Sequence, residues 1–292
     1  MWWCGVVVST SRRTAMSAVT AVTVLAGSFF LVSDAAGGTD PSQGVHQVSE
    51  AEANESADQW DASRTVSPTS VPAAVPNGLN PVVGALFSVD ANGDNSHFCS
   101  GSVVHSPAGN LVVTAAHCLH DGAGGRYNTK ITFVPGYHDG QAPFGVWEPV
   151  RMVVAQGWLN SSDPDLDVGF MTVREVGGSR QVEDVTGANL FGANHQLPTD
   201  VQVSGYPDES DRQLSCRESA VRFSSYQMRF SCPGYTDGTS GSPWVTNRDA
   251  TSGLGTVIGV IGGHDGGGDT ADVSYSTYFD EDIARLYELA TA

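Results

Sequence analysis

Positive charge is scarce in this chain. Its 292 residues hold 14 Lys+Arg against 32 Asp+Glu, a formal net charge of −18. A surface of that sign repels phosphate backbones, so no nucleic-acid partner is expected. Metal signatures are missing as well. Neither H-E-x-x-H nor C-x-x-C occurs, and neither a metal nor a cofactor is expected. The acidic stretch Asp208-Glu209-Ser210-Asp211 lacks the spacing of an EF-hand. Helix-period patterns are few, and no repeat at a fixed period is present. Glycine, by contrast, is plentiful at 34 residues. With many short apolar runs, that tilts the fold toward all-β.

Cysteine is sparse too, at five residues, and its meaning depends on the N-terminus. Arg12 and Arg13 precede an apolar run over residues 15–32, followed by Ser33-Asp34-Ala35-Ala36. Charge, apolar run and small residues in that order describe an export signal over residues 1–36, cleaved near Ala35 or Ala36. An uncleaved membrane anchor is the alternative, and Ser11-Arg12-Arg13 leaves twin-arginine export open. The expected location is extracellular, an oxidising setting, with no stable membrane association after signal removal. Cys4 falls in the removed part. Cys99, Cys118, Cys216 and Cys232 remain, and four thiols allow three pairings. Pairing of neighbours is the expectation: Cys99 with Cys118, Cys216 with Cys232. Residues 37–76 are rich in Ala, Ser, Glu, Asp and Pro and poor in aliphatics. They bury too little to offset ordering entropy, and read as a disordered propeptide or linker.

From residue 77 the texture changes. Apolar runs at 81–89, 100–104, 111–114, 131–134, 150–155, 168–173, 201–203, 221–223, 256–261 and 274–279 read as strands. Turn chemistry separates them, as at Asn92-Gly93, 107–110, Asp121-Gly122 and Asp139-Gly140. Such a series indicates a barrel or sandwich pair. Residues 281–289 place apolar side chains at 283, 286, 287 and 289, the pattern of a short C-terminal amphipathic helix.

One stretch carries chemistry: Tyr235-Thr236-Asp237-Gly238-Thr239-Ser240-Gly241-Ser242-Pro243-Trp244. A serine set between glycines is either a surface turn or a nucleophile whose neighbours must aim backbone N–H groups at a reacting oxygen. A serine nucleophile needs a base, and histidine suits neutral pH. Of eight histidines, His117 alone ends an apolar small-residue run beside a candidate disulfide, in Val112-Val113-Thr114-Ala115-Ala116-His117-Cys118. A buried structural histidine is the plainer reading of that segment alone. The base needs an orienting carboxylate. Asp167 enters an apolar strand, Asp167-Val168-Gly169-Phe170-Met171, whereas Asp163 and Asp165 flank Pro164 in a turn.

The order His117, Asp167, Ser240, in Thr114–Cys118, Asp167–Met171 and Asp237–Pro243, resembles the chymotrypsin-like serine peptidases, the trypsin fold. The bacterial secreted branch similar to glutamyl endopeptidase matches best, with Cys99-Ser100-Gly101-Ser102 and Gly205-Tyr206-Pro207 as further marks. The resemblance covers about residues 81–289. It implies two six-stranded antiparallel β-barrels packed together, residues 77–185 and 186–292, and a secreted monomeric endopeptidase acting on peptides or proteins. It implies Ser240 as nucleophile, His117 as base, Asp167 as its orienter, and the Gly238 and Ser240 N–H groups as oxyanion hole. A non-catalytic binding protein on the same fold is the alternative; an esterase would order its triad differently. Two departures bear on control and selectivity. Thr239 stands where trypsin has the aspartate that receives the freed N-terminus. The substrate pocket, assigned to Gly234, Tyr235, Ile261, Gly262, Gly263 and His264, has no carboxylate at Gly234. Ile261 stands where glutamate-selective enzymes carry histidine. His264 could favour an acidic side chain, and Asp265 and Asp272 a basic one.

Overall fold

Strand formation follows the apolar runs through the first half of the chain. The structure, a computed structural model, describes residues 43–63, 78–89 and 95–292. The expected signal over 1–36, Cys4 and the Asn92-Gly93 turn lie outside the described residues. Six strands close a barrel: β2 (Val83–Val89), β3 (Asn95–Val104), β4 (Leu111–Thr114), β5 (Thr132–Pro135), β6 (Trp147–Ala155) and β7 (Gly169–Glu175). Their order is β6-β5-β2-β3-β4-β7, and β7 returns to β6. Val83, Leu86, Val103, Val112, Phe133, Met152 and Met171 fill it, all at most 1% exposed. Closure leaves few free edges.

The second half is a sheet in the order β14-β11-β10-β9-β12-β13-β8. Its strands are β8 (Leu190–Phe191), β9 (Thr199–Gly205), β10 (Leu214–Arg222), β11 (Gln227–Ser231), β12 (Pro243–Thr246), β13 (Thr256–Val260) and β14 (Val273–Thr277). No ladder joins β13 to β14, so the expected pair of barrels takes the form of one closed barrel and one half-barrel. Both expected disulfides form, Cys99–Cys118 and Cys216–Cys232.

The final helix begins where Asp280 accepts the Asp282 N–H at 2.9 Å, and runs Glu281–Thr291. It buries Ile283, Leu286 and Ala290. Tyr287 stacks on Phe191 at 4.3 Å. Arg151 donates to the carbonyls of Leu289 and Ala290, a cation at the negative helix end. Among the described residues no helix is long and apolar enough to cross a membrane.

Part of the segment expected to be disordered has structure. Strand β1 (Gln43–Gln47) pairs antiparallel with β6, Gln43 opposite Ala155 through Gln47 opposite Arg151. Helix α1 (Glu50–Ser63) follows. Ala53 and Ser56 are 1% and 2% exposed. Two shorter helices, α2 (Gln156–Ser161) and α3 (Val182–Thr186), bracket β7. The expectation of disorder rested on aliphatic content. The segment instead attaches through a backbone ladder, small residues and ion pairs. Arg174 bonds Glu50 at 2.6 Å and the buried Glu148 at 2.5 Å. Removing the cation strands a buried carboxylate. Arg174→Met is therefore expected to lower stability by about 3 kcal/mol, measured as a fall in the urea midpoint.

Candidate active site

Strand β4 is followed by two fully buried alanines, Ala115 and Ala116, and small side chains let the chain turn tightly there. His117 sits in the resulting 3-10 turn, Ala116–Cys118. The Cys118 bridge ties that turn to Cys99 on β3. Asp167 follows a second short turn, Pro164–Leu166, capped by the Asp163 carboxylate, which accepts the Asp165 N–H at 3.0 Å. The turn sets Asp167 inward, 1% exposed. Its carboxylate accepts from His117 Nδ1 at 2.7 Å, the His117 backbone N–H at 2.9 Å and the Gly263 N–H at 2.8 Å. Asp163 and Asp165 remain in the turn; Asp165 accepts from Gln227.

These contacts settle the charge of the pair. Burial pulls the His117 pKa down, but the Asp167 charge and hydrogen bond outweigh it, and the net shift is upward from 6.5. Burial pushes Asp167 up, and the charge and hydrogen bond of His117 with the two backbone N–H groups outweigh it, so the net shift is downward from 3.8. The carboxylate is ionised at neutral pH and fixes the ring with Nδ1 as donor.

Ser240 comes from the other half, in the loop before β12. Ser100, the residue after Cys99, stitches it to the barrel. The Ser100 N–H donates to the Ser240 carbonyl at 2.7 Å, and its hydroxyl donates to the Gly238 carbonyl at 3.0 Å. That hydroxyl also accepts the Tyr206 N–H at 2.9 Å, and Thr114 Oγ1 donates to the Ser100 carbonyl at 2.7 Å. Gly241 brings the loop in. With φ of 82°, its α-carbon lies so close that a Cβ would collide with Thr114 Oγ1 and the Ser100 carbonyl. Gly238, at φ 86°, leaves no room beside the Tyr206 carbonyl and the Asp208 N–H. Gly241→Ala is expected to push the serine loop away from Ser100 and the end of β4. A displacement of that kind lowers kcat/KM by about 10², measurable on any cleaved peptide.

Within the loop, the N–H groups of Thr239, Gly241 and Ser242 donate to the carbonyls of Thr236, Ile261 and Thr239. Among the described residues, those of Gly238 and Ser240 meet no backbone acceptor. The two amides lie two residues apart on either side of Thr239. Thr239 is 2% exposed and its hydroxyl donates to the Thr236 carbonyl at 2.6 Å, so this position offers no charge to an incoming N-terminus.

A cavity of about 240 Å³ opens beside Ser240, lined by Tyr235, Thr236, Asp237, Thr239, Ile261 and the loop 266–271. Of the pocket residues expected, Tyr235 and Ile261 line it. Gly234, Gly262, Gly263 and His264 do not. The Gly263 N–H is committed to Asp167, and a Cβ on Gly262 would stand 3.0 Å from Asp167 Oδ2, so both serve the carboxylate. His264 is held between Phe223 at 4.9 Å and Tyr275 at 4.7 Å, its Nε2 3.1 Å from Asp265. Asp269, Thr270 and Ala271 were missed. The path of a glycine-rich loop has no apolar pattern to mark it. Among the described residues, one group of three side chains has metal-ligand geometry, Cys99, His117 and Cys118. Both its thiols are consumed in a disulfide and its imidazole is bonded to Asp167, a donor set that does not fit a metal.

The family described as Trypsin matches residues 75–283. A 26% identical thermostable serine protease, AL20, from an extremophilic microorganism, superposes with a TM-score of 0.63 over 73% of this chain and 97% of its own. Protease Anisep from Arthrobacter nicotinovorans does so at 26% identity and 0.62, with the same coverage. A Glu endopeptidase, 17% identical, shares the fold at 0.56 over 76% and 95%. A Bacillus subtilis (strain 168) protein named Extracellular metalloprotease is 25% identical over 174 residues, 59% of this chain. The match spans about half, 53%, of that relative's length. With a family match over most of the chain and 26% identical serine-protease neighbours that superpose on it, this chain belongs to the trypsin family of serine endopeptidases.

Proposed function

We propose that the chain is an exported endopeptidase that hydrolyses peptide bonds with Ser240, His117 and Asp167. His117 takes the Ser240 proton as Oγ attacks the carbonyl carbon. Asp167 holds the ring and stabilises the imidazolium. The Gly238 and Ser240 N–H groups receive the oxyanion. The tetrahedral species collapses, His117 protonates the leaving amine, and water releases the acyl group by the same steps. The observation that carries the reading is the bonded His117–Asp167 pair set against a serine loop with two uncommitted amides. A fluorophosphonate probe tests it. Labelling mapped to Ser240 supports it; no labelling of folded protein overturns it, and favours the binding-module alternative.

The cavity supports a preference for a basic side chain on the acyl side of the cleaved bond. Its lining has two carboxylates, Asp237 and Asp269, and no cationic side chain. Asp208 and Glu209 lie next to Asp237: the Asp208 N–H donates to the Asp237 carbonyl at 2.8 Å, and Thr236 Oγ1 bonds Glu209 at 2.8 Å. An acidic substrate side chain would meet like charge there. Otherwise identical peptide substrates with Arg and Glu at that position should differ by about 10² in kcat/KM in favour of Arg. Asp269→Lys should shrink the ratio tenfold or more, about the effect of one reversed pocket charge.

A further inference from the structure

Residues 43–63 sit on the barrel wall beside the histidine turn, and their contacts lead to it. Strand β6 meets β5 only through the pair Phe133–Trp147, and β1 takes over the later part of the strand, Arg151 to Ala155. Two routes run inward from there. On the first, the His46 ring stacks on Tyr127 at 4.6 Å, and Tyr127 meets His120 edge-on at 4.7 Å. Its neighbour Asn128 donates to the carbonyls of Cys118 at 3.1 Å and Leu119 at 2.8 Å, the two residues after His117. On the second, Gly44 lies so close to Leu159 that a Cβ would collide with that side chain. The adjacent Trp158 donates from its indole N–H to the His120 carbonyl at 2.8 Å, and its ring stands 6.4 Å from that of His117.

We propose that residues 43–63 are a built-in positioning partner of His117, holding the Tyr127–Asn128 and Trp158–Leu159 segments against its turn, and that full activity requires them to stay docked even when the chain between them and β2 is cut. The proposal rests on His117 being the catalytic base. Docking depends on the buried face of α1 at Ala53, 1% exposed, where a carboxylate would be strongly disfavoured.

The test uses the full chain with a recognition sequence for a sequence-specific processing protease placed within residues 66–73, cut after purification. In the parent protein the released segment should co-elute with the enzyme on gel filtration, with kcat kept. In Ala53→Asp the segment should separate after cutting. With it gone, kcat should fall about tenfold or more, as misplacement of a catalytic group does, while KM stays near the parent value. A general loss of structure would move both constants and the near-ultraviolet spectrum. The proposal is overturned if the segment leaves and kcat is unchanged, or if the cut Ala53→Asp protein retains the segment. Failure of the uncut parent to label at Ser240 sinks the catalytic reading beneath it instead.

Discussion

Ser240→Ala is expected to lower kcat by about a millionfold, the loss seen when a triad nucleophile is removed, and to leave the unfolding midpoint where it was. The second half follows from the contacts. The Ser240 hydroxyl makes no hydrogen bond within the described residues that holds the fold; its loop is fixed by backbone groups, the Ser240 carbonyl to Ser100 and the Gly241 N–H to Ile261 at 2.7 Å. Alanine keeps both. Residual hydrolysis above the rate in water would come from the two amides and the cavity. The measurement is steady-state hydrolysis with the variant purified in the absence of wild-type enzyme. A variant retaining the parent rate would mean the nucleophile is another group.

Asp167→Asn comes next, with an expected fall in kcat of about 10⁴. All three donors to this carboxylate are N–H groups. An amide has one acceptor oxygen, and its NH₂ would face either a backbone N–H or the ring. If it faces the ring, Nδ1 must become an acceptor and Nε2 carries the proton, the wrong tautomer to accept from serine. The pH profile gives a second readout. In the parent, kcat/KM should rise with pH through a midpoint above 6.5, since neutral His117 is the active form and Asp167 holds its pKa up against burial. In the variant the raising causes are gone and burial is left, so the midpoint should fall below 6.5. An unmoved midpoint would show that the ring does not feel this carboxylate.

The same shifts set a stability window. Asp167, lowered in the fold, contributes stability above its ordinary 3.8 that is lost as pH falls through the folded value. His117, raised in the fold, contributes below its ordinary 6.5 and loses that contribution as pH rises through the folded value. Between those ordinary values the ion pair contributes fully.

The barrel strands were legible because burial on both sides leaves apolar runs, as at β2 and β4. Strands β10 and β11 carried little such signal. Leu214–Arg222 has one fully buried residue, Ala220, and only Leu214 and the bridged Cys216 pack against the core from the rest of the strand. Residues 43–63 were illegible for a related reason. Gly44, Ala53 and Ser56 bury by being small, and nothing in their side chains says so. In the candidate site, His117, Asp167 and Ser240 stood out because each ends or interrupts a patterned stretch. The pocket wall did not, since a loop through Gly266, Gly267 and Gly268, all at positive φ, can take many paths.

The bridge between Cys99 and Cys118 clasps the residue just before Ser100 to the residue just after His117. Ser100 in turn donates to the carbonyls of Gly238 and Ser240, on either side of Thr239 in the serine loop. A reductant that opened this one bond would slacken the base and the attacking loop together, with no need to unfold either half.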